Sequence, residues 1–147
     1  MCFNCYEKKL FGGKRLAKLR VAKRDIKCYK ILITPASVDR IENWLYSQYA
    51  RMHYRIGVAY CAPNNYCNTG EYGMSGLGSV LEPYDCSSSL MVINVGYHSW
   101  VKKPKYTHMA SFEVMVECRI PKGTHYRRND DGCYVSDSIV ITKIIRL

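Results

Sequence analysis

The stretch EVMVECRI, residues 113–120, alternates in polarity along its whole length. One side of an extended chain there carries Val114, Val116, Cys118 and Ile120, and the other carries Glu113, Met115, Glu117 and Arg119. An alternation with a period of two is typical of a β-strand with one buried face. We therefore expect this stretch to be a strand, and the segments around it to be its partners in a sheet.

Further strands are predicted on both sides of this stretch. They cover residues 25–33, 53–61, 90–95, 124–128, 133–135 and 139–147, where β-branched and aromatic residues cluster between turn residues. In IPKG, residues 120–123, proline fits the second position of a type I turn and glycine the fourth. NDDG, residues 129–132, closes the following hairpin. The pattern predicts a strongly twisted, mostly antiparallel sheet with a central last strand.

One main helix is predicted over residues 37–52. Ser37 follows a Thr-Pro-Ala sequence and can cap the free amides of the first helical turn. Apolar side chains recur at intervals of three and four residues and form one stripe: Val38, Ile41, Trp44, Leu45, Tyr49 and Met52. We expect this stripe to pack on the sheet, which gives an α+β fold in a single domain.

The formal charge of +10 is concentrated near the N-terminus, because residues 1–30 carry ten basic and two acidic residues. We interpret residues 1–24 as a basic N-terminal arm with a short helix over 14–23, and residues 25–147 as the folded domain. The cations of this arm are candidate contacts for nucleic acid or for an acidic protein surface. They are Lys14, Arg15, Lys18, Arg20, Lys23 and Arg24. A solubilising tail without a partner is the alternative interpretation.

Residues 62–89 are rich in Asn, Gly, Ser, Tyr and Pro, and predict a long loop that covers one end of the sheet. The chain of 147 residues has the length of one domain. No apolar run approaches the roughly 18 residues of a membrane span, and the first residues lack the apolar core of a signal peptide. These features predict a cytoplasmic protein with no membrane partner.

Eight cysteines in a chain without an export signal are interpreted as reduced thiols, most of them in the core, and no metal is predicted. Cys2-x-x-Cys5 has the spacing of half a zinc site, but the usual second C-x-x-C is absent. A zinc site with four thiolates, from Cys2, Cys5, Cys61 and Cys67, remains the alternative.

No self-sufficient catalytic motif is present: the chain has no G-x-S-x-G, no H-E-x-x-H and no phosphate-binding loop. Gly96 ends a predicted strand just before a turn formed by Tyr97, His98, Ser99 and Trp100. Polar and aromatic residues after such a glycine are typical of a ligand-facing site. The competing interpretation places Tyr97 and Trp100 in the core and gives His98 a structural hydrogen bond.

Four segments carry a resemblance to a set of small uncharacterised proteins of bacteriophages and their gut bacterial hosts. The segments are KCYKIL (27–32), GYHS (96–99), CRIPKG (118–123) and YVSDSIVI (134–141), with Cys2 near the start. The resemblance implies an origin in a phage or a mobile element. It also implies a place in the host cytoplasm or in the virion, with phage or host proteins among the partners.

The order of these segments is also similar to that of the ADP-ribosyltransferase fold. That family uses an Arg on the first strand, a Ser-Thr-Ser on a middle strand and a Glu before the last apolar strand to hold NAD and aid transfer. The resemblance implies that Lys30, His98-Ser99-Trp100 and Asp137 stand at these places. All three depart from the family pattern, and Asp in place of Glu shortens the reach by one methylene, about 1.5 Å.

Two functional hypotheses from different classes follow. The first is a non-catalytic phage accessory or virion-associated protein whose basic arm binds nucleic acid or an acidic protein surface. The second is an ADP-ribosyltransferase-like protein, either a degenerate enzyme or a ligand sponge, that binds NAD or a related nucleotide. Its candidate ligand site consists of Lys30, Tyr97, His98, Ser99 and Asp137.

Overall fold

The computed structural model describes residues 6–10, 13–14, 17–35, 40–47, 52–61, 65–66, 80, 84–86, 91–93, 96–105, 112–128 and 132–146. The strands within these residues are β1 (Tyr6–Leu10), β2 (Gly13–Lys14), β3 (Leu19–Val21), β4 (Ile26–Ile33), β5 (Leu45–Ser47), β6 (His53–Tyr54), β7 (Ala59–Cys61), β8 (Asn65–Tyr66), β9 (Tyr84–Cys86), β10 (Met91–Ile93), β11 (Tyr97–Trp100), β12 (Glu113–Ile120), β13 (His125–Arg128), β14 (Cys133–Ser136) and β15 (Ser138–Arg146). A single 3-10 turn, Ile41–Asn43, precedes β5.

The described strands form two antiparallel sheets. Eleven strands belong to the main sheet, in the order β3-β13-β14-β11-β4-β12-β15-β7-β8, with β5 paired to β4 and β6 paired to β5. Four strands form the other sheet, in the order β2-β1-β10-β9. Among the described residues, no helix is long and apolar enough to cross a membrane.

Strand β12 lies at the centre of the main sheet, between β4 and β15. Its pairing with β4 runs without a break from Glu113 opposite Ile33 to Ile120 opposite Ile26. The apolar face predicted for residues 113–120 is buried, which confirms that prediction. Met115, on the other face, is also fully buried. Both sides of β12 therefore contribute to the interior.

The larger part of the core lies on one face of the main sheet. It contains Cys28, Leu32, Leu45, Tyr54, Tyr60, Tyr97, Val114, Val116, Cys118, Ile120, Ile139 and Ile141, among others. A smaller cluster of Val80, Cys133 and Val135 packs with Leu19 and Trp100.

The predicted α+β fold with a main helix over 37–52 is wrong. The described part of this segment contains only the 3-10 turn and the hairpin of β5 and β6, in which Leu45 pairs with Tyr54 and Tyr46 with His53. Residues 36–39 and 48–51 lie outside the described residues, and they include Ser37, Val38 and Tyr49. Trp44, a member of the predicted stripe, is 44% exposed.

The end of β4 that extends beyond its pairing with β11 explains why sheet structure replaces the helix. Ile33 pairs with Tyr46 and Leu32 with Ser47, so β5 obtains backbone hydrogen bonds from a strand that is already in the sheet. Leu45 and Met52 are buried, as a helical stripe would also have required. The apolar spacing is therefore compatible with both structures, and the tertiary contact decides between them.

The residues before β4 also differ from prediction, because Leu19–Val21 forms an edge strand instead of part of a helix over 14–23. Arg20 pairs with Tyr126 of β13. The buried Ala22 donates its amide hydrogen to Thr124 O at 2.9 Å, and its carbonyl accepts from Gly123 N at 2.8 Å. Residues 19–22 thus belong to the main sheet, although they lie within the arm predicted to end at residue 24.

Two other segments are divided differently from prediction. The strand predicted over 53–61 is interrupted at Gly57, which separates β6 from β7. Tyr97–Trp100, predicted as a turn, is strand β11 and pairs with β14. Most of the loop predicted over 62–89 lies outside the described residues, and its described part includes β8, β9 and the buried Val80.

Gly96 has no room for a side chain. Its φ is +140°, and a Cβ atom would lie 2.8 Å from Ser136 O and 3.0 Å from Val135 Cγ1. Gly57 also has a positive φ, +83°, but nothing lies within 4 Å of the corresponding position. A side chain at Gly96 would therefore meet both backbone strain and a steric clash, whereas one at Gly57 would meet backbone strain alone.

We expect Gly96→Ala to lower the free energy of unfolding by about 3 kcal/mol or more, since strain and clash add at this position. Gly57→Ala serves as the control, and strain alone should cost about 1 kcal/mol there. Urea unfolding of both variants measures the difference. Equal losses would show that the close approach of β14 to Gly96 is not a constraint.

Candidate functional site

Lys30, the first residue of the predicted ligand site, lies in the interior. Its Nζ donates a hydrogen bond to the main-chain oxygen of His98 and lies 5.9 Å from the centroid of the Tyr54 ring. Burial lowers the pKa of the Lys30 amine, while the neighbouring thiols of Cys118 and Cys28 act in the opposite direction. The amine is therefore held between a carbonyl and a ring, inside the protein.

Tyr97 and Ser99 lie on the same strand as His98, and their side chains are buried. Among the described residues, the Tyr97 hydroxyl has no hydrogen-bond partner, whereas a hydrogen bond with the Ser99 side chain helps to lower the pKa of the Cys28 thiol. Burial raises the pKa of Tyr97, and the nearby Tyr60 and Asp137 raise it further. The Tyr97 hydroxyl thus remains a neutral polar group in the core, which is a costly arrangement.

Asp137, the last residue of the predicted ligand site, holds a loop residue in place. Its Oδ1 accepts a hydrogen bond from Val80 N at 2.7 Å. The Val80 carbonyl accepts from Arg127 Nε at 3.0 Å, and the Val80 side chain is buried against Cys133 and Val135. This Asp137–Val80–Arg127 clamp fixes one described point of the predicted 62–89 loop to the sheet.

The five residues of the predicted ligand site therefore fall into two groups. Lys30 contacts the backbone of β11, the strand that carries Tyr97, His98 and Ser99. The charge of Asp137 raises the pKa of Tyr97, and its carboxylate accepts a hydrogen bond from the Val80 amide.

Two cysteine thiols face each other in the core. Cys28 and Cys118 are directly opposite in the pairing of β4 with β12. A hydrogen bond from Cys118 lowers the pKa of Cys28, whereas burial raises that of Cys118. Cys61 differs from the prediction of reduced thiols, because it is disulfide-bonded.

The zinc alternative lies mostly outside the described residues, since Cys2, Cys5 and Cys67 are not among them. Within the described part of the chain, no group of three or more His, Cys, Asp or Glu side chains could hold a metal ion.

A groove of about 890 Å³ lies at the β3 edge of the main sheet. It is lined by Lys18, Leu19, Arg20, Val21, Lys23, Arg24, Asp25, Ile26, Lys27, Tyr126 and Tyr134. Among the described residues that line it, five cationic side chains and one carboxylate give a net charge of +4. All six of these charged residues are exposed. The groove therefore combines a positive surface with two tyrosines.

The carboxylate of Asp25 in the groove contacts two residues outside it. Asp25 Oδ2 lies 3.8 Å from Arg119 Nη1, and Asp25 Oδ1 accepts a hydrogen bond from Lys122 N at 2.8 Å. Lys27 lies 3.7 Å from Glu117, so one of the five cations is also shared. The two ion pairs are long and have at least one exposed partner, so they carry little energetic weight, and the groove keeps its positive field.

Four of the six cations predicted to contact an acidic partner line this groove: Lys18, Arg20, Lys23 and Arg24. Arg15 and the side chain of Lys14 lie outside the described part of the structure. Sequence reasoning missed Lys27, Tyr126 and Tyr134. The motif HYRR, residues 125–128, carries a signal for Tyr126, because an aromatic residue there directly precedes two arginines beside a predicted hairpin turn.

No protein-family model, curated protein or solved structure matches this chain. The resemblances to phage proteins and to ADP-ribosyltransferases therefore stay predictions. The groove and the surroundings of the buried Lys30 are therefore interpreted from the structure of this chain alone.

Lys30→Met should change how stability depends on pH. Burial lowers the pKa of Lys30 below its ordinary value of 10.5, so the folded state binds fewer protons than the unfolded state between the two pKa values. The stability of the native protein must then rise with pH through that window. We expect the variant to be more stable by about 1 kcal/mol at neutral pH, and this advantage to shrink toward pH 10.5.

Urea unfolding between pH 7 and pH 10.5 measures this difference. Lys27→Met is the matched control, because Lys27 lies on the same strand with a side chain that is 66% exposed. Its pH dependence should follow that of the native protein. If the stability of Lys30→Met had the same pH dependence as that of the native protein, the Lys30 amine would not be desolvated.

Asp137→Ala should lower the free energy of unfolding by about 1–2 kcal/mol, because it leaves the Val80 amide without its charged acceptor. Asp137→Asn retains a carbonyl oxygen at Oδ1 and should cost less. Thermal and urea unfolding distinguish the two variants. Identical losses would contradict a role for the hydrogen bond to Val80.

Proposed function

We propose that this protein binds nucleic acid through the groove at the β3 edge, without catalysing a reaction on it. The observation that carries the proposal is the composition of the groove, in which five cations and two tyrosines line one surface. Nucleic acids present closely spaced phosphates, and neutralising them releases counterions and favours binding. Lysine and arginine side chains supply that neutralisation without reading sequence.

The position of the cations on the sheet supports this proposal over a solubilising role. Lys18 and Arg20 belong to a segment whose Arg20 pairs with Tyr126 in the sheet. Arg127 Nη1 also donates a hydrogen bond to Ala17 O at 2.6 Å, which ties the chain just before Lys18 to β13. Cations on a fixed backbone lose less conformational freedom on binding than cations on a free tail.

An acidic protein surface is the competing partner, since carboxylates would also be attracted to the groove. The two tyrosines favour nucleic acid, because aromatic rings stack on bases and bases accompany the phosphates. The resemblance to phage proteins is consistent with a protein that works on phage or host nucleic acid, in the cytoplasm or in the virion.

Binding should weaken steeply with salt. For a single strand, the logarithm of the association constant falls by about 0.7 per contacted phosphate for each unit of log salt, so five cations give a slope of about −3.5. Affinity for a labelled oligonucleotide should therefore fall roughly 100-fold between 50 and 200 mM salt. Fluorescence anisotropy measures the slope, and a slope near zero would contradict the proposal.

Charge reversal locates the binding surface. We expect Lys23→Glu/Arg24→Glu to reduce affinity more than tenfold and to lower the magnitude of the salt slope by about 1.4, the share of two contacts. Lys102→Glu/Lys103→Glu is the matched control, because these two exposed lysines lie outside the groove and the change in total charge is the same. Equal losses in both variants would assign binding to the overall charge instead of the groove.

Competition separates the two partner classes. Polyglutamate of similar length should displace the oligonucleotide poorly, since it offers no bases to the tyrosines. Equally effective displacement would favour an acidic protein as the partner.

A further inference from the structure

We infer that the groove takes a single strand, with one unpaired base seated at the corner that Tyr126 and Tyr134 form. This inference rests on the proposed function and names the class of nucleic acid that the groove accepts. It depends on the arrangement of the two rings and on the positions of the arginines beside them.

The two tyrosine rings form a corner instead of a stack. Their centroids are 5.7 Å apart and their planes make an angle of 78°. Both residues line the groove; Tyr126 is half-buried, and Tyr134 is buried in the main core with 8% of its surface exposed. A planar group that enters the groove can stack on the partly exposed ring of Tyr126, against which Tyr134 packs from the core. A nucleic-acid base is a planar group of suitable size.

Arginines flank this corner on both sides. Arg20 stands directly opposite Tyr126 across β3 and β13, and Arg128 stands directly opposite Tyr134 across β13 and β14. Burial raises the pKa of Tyr134, and the positive charges of Arg128 and Arg20 act against that rise, as expected for cations near the ring. Their guanidinium groups can neutralise the phosphates on either side of a seated base.

The backbone around the corner is fixed before any ligand arrives. Strand β13 alternates, so Arg127 points away from Tyr126 and Arg128. Its guanidinium group donates to Ala17 O and to Val80 O on that opposite side. The strand that carries Tyr126 is thus held from behind by polar contacts. A platform that is already ordered binds a base at a lower entropic cost.

A duplex can make only some of the contacts that the groove offers. Its phosphates can contact the cations, but its bases are paired and stacked, and they offer no free face to a ring. A single strand can offer both phosphates and an unstacked base. The corner therefore favours a single strand, although a duplex carries the higher charge density.

Three labelled probes test the inference by fluorescence anisotropy: a 12-nucleotide strand of mixed sequence, an abasic strand with the same phosphates, and the 12-base-pair duplex. The native protein should bind the strand with bases about tenfold more tightly than the abasic strand. It should also bind the single strand more tightly than the duplex. Equal affinity for the first two probes, or tighter binding of the duplex, would overturn the inference.

Variants assign the preference to Tyr126. Tyr126→Ala should lower affinity for the strand with bases to that for the abasic strand, and should leave affinity for the abasic strand unchanged. Tyr126→Phe keeps the ring and should stay within about threefold of the native affinity. Tyr46→Ala, which removes a tyrosine stacked on His53 outside the groove, is the matched control and should change neither affinity.

The outcomes keep the two proposals distinct. Salt-dependent binding of all three probes with equal affinity would overturn the single-strand inference and leave the nucleic-acid proposal standing. An absence of binding to every probe at low salt would overturn both. The comparison of probes on the native protein does not depend on whether Tyr126→Ala folds, and Tyr126→Phe tests the ring in a conservative variant.

Discussion

The unbroken pairing of β4 with β12 is the constraint on which the rest of the structure depends. Because Ile26 pairs with Ile120, the residues that precede β4 must lie beside those that follow β12. Ala22 accordingly exchanges backbone hydrogen bonds with Gly123 and Thr124. Asp25 accepts the Lys122 amide hydrogen at the same place. The register of this one strand pair therefore brings the basic segment next to the hairpin that carries Tyr126 and Tyr134.

A slip of one residue in that pairing would turn every side chain to the other face of the sheet. The register is fixed by burial, since Cys28 opposes Cys118 and Leu32 opposes Val114 in the core. Lys30, which opposes Val116 in the same register, is the exception in an apolar row. Its amine is accommodated by the His98 carbonyl and the Tyr54 ring, at a cost in desolvation. These contacts link β4 to β11 and the β6 hairpin.

The sequence allowed the strands of the core to be predicted, because β4, β12, β14 and β15 have clear alternation or apolar runs bounded by turn residues. It did not allow the hairpin of β5 and β6 to be predicted. The spacing of Leu45 and Met52 suits a helix as well as a hairpin, and the hairpin is selected by the end of β4 that β11 does not cover. The edge strand β3 was missed for a similar reason, since Leu19 and Val21 become a strand only when β13 is beside them.

The candidate groove was predictable in its charge but not in its shape. Lys18, Arg20, Lys23 and Arg24 are cations whatever the fold. Tyr126 and Tyr134 lie beside these cations because of the pairing register of β3, β13 and β14. A local sequence pattern does not predict that register. Conversely, Ser99 was assigned to a ligand site from its position at a strand's end, and Asp137 from the resemblance to ADP-ribosyltransferases. Ser99 lies in the interior, and Asp137 accepts a hydrogen bond from the Val80 amide.

The most direct test of the account is to map the binding surface residue by residue. In a titration of isotope-labelled protein with a short single-stranded oligonucleotide, followed by NMR, the account predicts that the amide shifts change most at residues 18–27 and at Tyr126 and Tyr134. Changes centred instead on Lys30, Ser99 and Asp137, with the groove unaffected, would contradict it.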